Sequence, residues 1–278
     1  MTNHSKRMAA LLCALLTLTV MAQERHERAD MIGIGAVQLL DTYLSPEKYR
    51  GTEVRVISQS HHPWKNPSWH RQSIVMASFQ YAKQRSENSN ELGGMLSYGY
   101  AIRHRWELTP TWQVSAGGQA ETGVGFLYNT RNTNNPAQAR AYLHLGPNAM
   151  TTWRFPLFHK SFLLRYELSA PLFGVMFSPN YGQSYYEIFS QGNYDHNVVV
   201  TTPFCAPTLR NQLSLDVPIG RTTLRIGYLG DYQQAKVNDL KYHTYSHLLI
   251  IGLVRPLYRA TKHTCASENE HSLTPNNQ

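Results

Sequence analysis

Residues 91–106 read ELGGMLSYGYAIRHRW. Leu92, Gly94, Leu96, Tyr98, Tyr100, Ile102, His104 and Trp106 fall on one side of a period of two, and Glu91, Gly93, Met95, Ser97, Gly99, Ala101, Arg103 and Arg105 on the other. One side is apolar and ends in aromatics, the other is small or charged, which is the signature of a strand with two different faces. At about 3.4 Å per residue the stretch spans roughly 54 Å, several times a usual soluble strand. A soluble sandwich explains the alternation but not the length. A strand crossing a bilayer needs about 9–11 residues and often continues beyond the lipid.

The pattern repeats through the chain. Trp112, Val114, Ala116, Ala120, Val124, Phe126 and Tyr128 oppose Gln113, Ser115, Gln119 and Glu121. The same alternation runs through 137–153, 162–169, 209–217 and 224–231, and more weakly through 33–40, 52–60, 69–85 and 242–255. These segments predict an all-β chain, an antiparallel up-and-down transmembrane barrel of ten strands. The connections support the count, because such barrels keep short turns inside and long loops outside. Starting inside, the outer connections are DTYLSPEKYRG, SENSN, NTRNTNNPA, the stretch 177–207 and QAKVNDLK; the inner ones are HHPWKNPS, LTP, RFPLFH and PIG. Only HHPWKNPS is long for an inner turn. Within 177–207, SYYEIFS and NVVVTT have the composition of a hairpin standing over the barrel, and counting them as wall strands gives the twelve-stranded alternative.

The ends fit export. Lys6 and Arg7 precede an apolar run from Met8 to Met21, with small residues Val20 and Ala22 before Gln23, the layout of a cleaved secretory signal over 1–22. Cys13 lies in mid-run rather than at the cleavage point, so a lipid anchor is not expected. The barrel is assigned to 23–257 and a flexible inner tail to 258–278, which places the chain in a bacterial outer membrane. Cys205 and Cys265 then fall on opposite sides of that membrane and do not pair. Hydrophobic residues make up 42% and charged residues only 16%, low against the usual quarter. The net charge of +8 becomes +6 without Lys6 and Arg7, and no basic cluster alternates with aromatics, which argues against nucleic acid as a partner.

A ten-stranded barrel is narrow enough for side chains to fill. The inward set contains Arg55, Arg103, Arg105, Arg140, Arg165, Arg210 and Arg225 against Glu53, Glu121, Glu167, Asp216 and Asp231. Arginine pairs with carboxylates in forks, so the expectation is a lumenal ion-pair network. The excess of two positive charges leaves a narrow anion-selective pore as an alternative.

Chemistry is sparse. No GxSxG, HExxH or CxxC occurs, and no catalytic residue, metal ligand or cofactor is assigned. A membrane hydrolase built on Ser184 and His196 would need the loop hairpin to bring them together. His243 and Ser246 in HTYSH point to opposite faces of a strand. His61 and His62 sit in the expected inner loop without a carboxylate or cysteine beside them, a poor metal site. The tyrosine-rich external loop is the candidate contact surface, with Tyr181, Gln183, Ser184, Tyr185, Tyr186 and Glu187 as its residues. Expected partners are outer-membrane lipid and a surface sugar or protein ligand, with the barrel a monomer.

Three stretches, GAVQLLDTYLSPEKYRGTEVR, PLFGVMFSPNYGQSYYEIFSQGN and GYLGDYQQAKVNDLKYHTYSH, resemble boxes of a family of exported proteins from Bacteroides-type bacteria known as a domain of unknown function. The resemblance covers nearly the whole exported chain and implies an outer-membrane, barrel-like protein. It brings no catalytic residue, cofactor or substrate.

Overall fold

The computed structural model describes residues 26–257, apart from 65, 67, 87, 134 and 221. The expected signal segment 1–22, the tail 258–278 and Cys265 lie outside the described residues. The wall begins with β1 (His26–Asp41), β2 (Ser45–Pro63), β3 (Trp69–Gln84), β4 (Asn90–Thr109), β5 (Trp112–Asn129) and β6 (Ala137–Leu157). It continues with β7 (Lys160–Ser169), β8 (Phe173–Phe177), β9 (Val198–Thr201), β10 (Thr208–Ile219), β11 (Thr222–Val237) and β12 (Leu240–Leu257). One short helix, α1 (Tyr185–Phe189), interrupts the β8–β9 connection.

Every pairing is antiparallel, and β1 meets β12 along its whole length, from His26 opposite Leu257 to Asp41 opposite Tyr242. The ring closes with ten wall positions rather than twelve. β6 pairs with β7 over Asn148–Leu157 and with β8 over Tyr142–Leu145, so β7 and β8 occupy one position, broken at residues 170–172. β9 pairs with β8, and β10 with β7. They share the next position, broken by residues 202–207.

Three expectations need correction. SYYEIFS and NVVVTT do not pair with each other: Val198–Thr201 lies against Phe177–Gly174 in a continuation of the wall, and Tyr185–Phe189 is helical. The aromatic composition favours a strand, but Ser184 and Glu187 form a capping box that satisfies the first free N–H groups of a helix instead. His61 and His62 belong to β2, not to a loop, so the inner connection shrinks to residues 64–68. The first outer connection likewise shrinks to residues 42–44, because β1 and β2 run on past the expected ends. Two-residue turns with positive φ join β6 to β7 (Phe158, His159) and β11 to β12 (Asn238, Asp239), as tight hairpins of right-twisted strands require.

The barrel is apolar outside. Ile32, Ile34, Val54, Val56, Leu96, Val124, Leu143, Leu145, Leu249 and Ile251 all stand exposed on its waist. The inner end is the one that carries the strand termini His26 and Leu257. There Trp69, Trp106, Trp112 and Trp153 ring the wall, with Trp64 in the adjoining loop; these are all five tryptophans of the chain. Tyr81 and Tyr128 stand toward the opposite, outer end. Between Val114 and Phe126, twelve steps of about 3.3 Å tilted by about 40° rise roughly 30 Å, which matches a hydrocarbon core.

The interior is filled in two ways. Ala29, Met31, Ile57, Ile74, Met76, Leu229, Leu248, Ile250 and Val254 form a dry cluster inside the β11–β12–β1–β2–β3 sector. Smaller apolar clusters gather around Leu39 and Tyr49 and around Tyr142 and Met176 toward the outer end, and ion pairs fill much of the rest. The gaps between these groups each hold about 20 Å³, room for about one water molecule.

Closure depends on a close approach at Gly35, where an added Cβ would overlap the His247 carbonyl oxygen on β12. At Gly118 the nearest atom to such a Cβ is 4.0 Å away. Gly35→Val is expected to abolish the gel-mobility shift between unheated and heated protein that marks a closed barrel, whereas Gly118→Ala preserves it.

Candidate functional site at the barrel mouth

The ionic half of the lumen rises in layers toward the mouth. At the inner end, Arg165 donates to Glu27 at 2.6 Å and contacts the His61 ring at 3.1 Å. Arg225 forks onto Asp216 at 2.6 and 2.8 Å. Above them, Arg103 pairs with Glu167 at 3.0 Å and reaches Asn148, while Gln59 and Gln212 bridge the ring at 2.8 Å. In the next layer Arg210 forks onto Glu121 at 2.5 and 2.9 Å, and Arg55 bonds both Glu53 at 2.7 Å and Asp231 at 2.6 Å. At the top Arg140 reaches Asp41 at 3.2 Å and Thr244 at 2.9 Å, over the Tyr242 ring.

The expected lumenal residues therefore all face inward, with Arg105 at the inner rim beside Glu107 at 3.6 Å. Three acids escape the sequence reading. Glu27 and Asp41 sit where β1 extends beyond its apolar stretch, and Glu91 bonds Asn129 at 3.2 Å near the top. Among the described residues, adding these three to the five acids expected sets seven lumenal arginines against eight carboxylates, and the positive excess behind the anion-selective reading is absent there.

The external stretch folds over this network as a cap. Gln183 is its hub: its carbonyl side-chain oxygen accepts from the Asn180 N–H at 2.9 Å and from the Asn197 amide at 2.7 Å, and its own amide donates to Asn193 O at 3.0 Å. Gly182, with φ of +77°, supplies the left-handed turn before it, a conformation other residues adopt at a cost. Ser184 then starts α1, accepting the Glu187 N–H while the Glu187 carboxylate accepts the Ser184 N–H at 2.6 Å.

Three clasps hold the cap to the barrel. The Tyr43 hydroxyl, in the β1–β2 turn almost across the mouth, donates to Gln183 O at 3.0 Å. The Tyr185 hydroxyl accepts from Ala139 N at 2.6 Å and donates to Gln138 at 3.0 Å on β6. Asn238, in the β11–β12 turn, donates to Ser178 O and His196 O at 3.1 and 2.9 Å. Burial pushes the Tyr43 hydroxyl up to about 12, with the Asp41 and Glu187 charges adding to it, and burial raises Tyr185 as well. Both phenols keep their protons as these bonds require. The Ser184 N–H and hydroxyl hold the Glu187 carboxyl below its usual range.

The six loop residues thus divide. Gln183, Ser184, Tyr185 and Glu187 build the cap, while Tyr181 and Tyr186 project into solvent at 75% and 66% exposure, near Phe189 and Tyr194. Ser184 is engaged with Glu187, and His196 pairs with its neighbour Asp195 on the surface; no hydrogen bond joins Ser184 to His196 among the described residues. His243 faces outward and Ser246 inward, where it donates to Glu53 at 2.5 Å. No group of three metal-binding side chains occurs among the described residues. The clasp residue Tyr43 and the Asn180–Asn197–Asn238 set are missed by sequence reading, because their partners lie as many as 140 residues away.

A family model described as "Protein of unknown function (DUF3316)" matches residues 8–264. The chain belongs to this family. No curated protein matches it. Among solved structures it is similar to the translocator domain of the autotransporter NalP from Neisseria meningitidis, at 10% identity and a TM-score of 0.41, covering 91% of this chain and 96% of that one. It is similar to the outer membrane protease OmpT from Escherichia coli at 7% identity and a TM-score of 0.45, covering 87% and 100%. Ail, the attachment invasion locus protein of Yersinia pestis, gives 11% identity and a TM-score of 0.33, covering 83% and 99%. The DUF3316 barrel described above rests on the chain's own strand pairing.

Arg225→Met leaves the Asp216 carboxylate only the longer contact to Arg165 at 3.8 Å and is expected to cost about 3–5 kcal/mol, while Arg225→Met with Asp216→Leu recovers most of it; urea unfolding from lipid vesicles reads both. For the cap, Ser184→Ala is expected to cost about 1 kcal/mol of helix stability, seen as faster proteolytic nicking of 177–207. Because the Glu187 value is lowered on folding, its contribution is complete above the usual 4.5 and lost as pH falls through the lowered value. Amide protection of 184–189 should decline over that acid range, and Glu187→Gln, which keeps the box, should remove the dependence.

Proposed function

We propose that this DUF3316 chain is a sealed outer-membrane barrel whose rigid external cap is a contact surface for a sugar or protein ligand. The observation that carries the reading is the inversion of the barrel: apolar side chains on the waist, aromatics at both borders, and charge inside. Water would not tolerate so large an apolar exterior, and lipid requires it. Residues 1–22 act as the export signal in this reading, and the three sequence boxes support a source among Bacteroides-type bacteria. The filled lumen and the clasped cap favour display over conduction. The cap offers Tyr181, Tyr186, Phe189 and Tyr194, all more than 60% exposed, and aromatic side chains give contact area at low entropic cost. The barrel acts as a monomer and without catalysis, since Ser184 and His196 serve the cap and its rim separately.

The test has two parts. On intact cells, a surface ligand screen against the wild type and Tyr181→Ala/Tyr186→Ala should find binding that the variant loses, and binding by both alike refutes the cap as the contact surface. In lipid vesicles, Leu249→Arg at the apolar waist should cost about 2–4 kcal/mol, measured by urea unfolding. A negligible cost would remove the membrane reading. Purified wild type in a planar bilayer should show no steady conductance.

A further inference from the structure

The break between β9 and β10 leaves a notch in the outer wall. Cys205 O accepts the Lys236 N–H at 2.7 Å, and above that bond the wall parts. The result is an outward-facing cleft of about 450 Å³, bordered by Phe204, Cys205, Lys236, Lys241, Tyr245 and Lys48. It opens to the side of the barrel: Gln38 and Leu40 on β1 and His243 on β12 point into it from the outward faces of their strands, and Ala235 and Tyr242 border it from the lumenal side.

Two features of this outer third are at odds with a plain lipid-facing wall. The first is charge. Lys48, Lys236 and Lys241 are exposed and have no carboxylate partner among the described residues. Arg50 and Lys83, opposite each other in the β2–β3 pairing, extend the cationic edge sideways. The second is a ladder of polar side chains on the same outward face. Tyr228 bonds the His247 ring at 2.7 Å and Tyr232 at 3.1 Å, Tyr245 donates to Gln234 at 2.6 Å, and Gln38 meets the His243 ring at 3.1 Å. His243 and Tyr245 stack with centroids 4.4 Å apart. Directly below, Leu249, Ile251 and Ile34 return the surface to hydrocarbon.

Cations at the rim, hydroxyl and imidazole groups beneath them and apolar side chains lower still follow the profile of an amphiphile with phosphate, sugar and acyl chain in that order. We infer that the notch binds a phosphorylated glycolipid of the outer leaflet, its phosphate on Lys48, Lys236 and Lys241, its sugar along the Tyr245–His243 ladder and an acyl chain down β12. Lysine serves phosphate as a mobile point charge, and a cleft at the lipid boundary admits the ligand laterally without opening the barrel. The inference rests on the membrane reading above and adds a site to it.

Native mass spectrometry of the full chain in detergent tests it, with a bisphosphorylated diglucosamine lipid, its dephosphorylated form and inorganic phosphate as probes. The expected result is a one-to-one adduct with the phosphorylated lipid. The dephosphorylated form should bind at least ten-fold more weakly, and inorganic phosphate should leave no adduct. Lys48→Gln/Lys236→Gln/Lys241→Gln should weaken the lipid adduct at least ten-fold. The matching inner-end variant Arg71→Gln/Arg154→Gln/Lys160→Gln, which removes the same charge, should not. Equal binding by the outer variant, equal binding of the dephosphorylated lipid, or a phosphate adduct as strong as the lipid's overturns the site. Heat-shift gels and vesicle insertion of the same samples keep the two readings apart: proteins that insert but do not bind overturn the notch alone, and a wild type that does not insert overturns the membrane reading.

Discussion

Seven arginines placed inside a barrel with an apolar exterior must find their counter-charges across the ring. That requirement organises the rest of the structure. A charge left alone in such an interior is costly, and an ion pair there repays its desolvation only when its geometry is good. Arg55 on β2 therefore reaches Asp231 on β11, Arg210 on β10 reaches Glu121 on β5, and Arg165 on β7 reaches Glu27 on β1. Each bond ties strands far apart in the wall. A slip of one residue in any register would turn a carboxylate out into the apolar surroundings, so the network selects the register as well as filling the space. The dry cluster around Met31 and Leu248 fills the wall sector that the Arg55–Asp231 pair spans, and the gaps between it and the ionic groups are water-sized.

The same division explains the mouth. Once the lumen is closed by its own side chains, the external stretch has no channel to plug and can be committed to shape. Gln183, Asn180 and Asn197 bond within it, and Tyr43, Tyr185 and Asn238 bond it to the rim. Its exposed face mixes the aromatics Tyr181, Tyr186, Phe189 and Tyr194 with polar residues such as Asn193, Asp195 and His196. The barrel thus separates two kinds of surface: an apolar waist, and above it the cap that the proposed function assigns to a soluble or surface-bound partner.

Much of this was legible in the chain because a wall strand between lipid and a polar interior writes its faces at a period of two. The inward placement of Arg103, Arg165 and Glu167 follows from counting alone, and so does the ten-strand ring. The places where counting fails are those where a local motif or a distant partner decides. Tyr185–Phe189 has the aromatic composition of a strand, yet one serine and one glutamate three residues apart turn it into a helix. Glu27 and Asp41 read as flanks because the apolar face of β1 is shorter than its hydrogen bonding. His61 reads with its loop neighbours in the sequence, although its position opposite Gln72 in the β2–β3 pairing carries it inward to Arg165. The notch could not be foreseen, since nothing in TTPFCAP announces that the chain leaves the wall there and that Cys205 rejoins it against Lys236.

The clasp between Tyr43 and Gln183 also bears on the order of assembly. Its two halves belong to the first hairpin and to the longest connection, and they face each other only when β1 has joined β12 and the ring is complete. A chain inserted but still open at that seam would carry the helix and its hub without the anchor that holds them over the mouth. The ordered cap is thereby a signature of finished closure: any recognition that depends on its shape would be withheld from half-built barrels and granted only when the last seam has zipped.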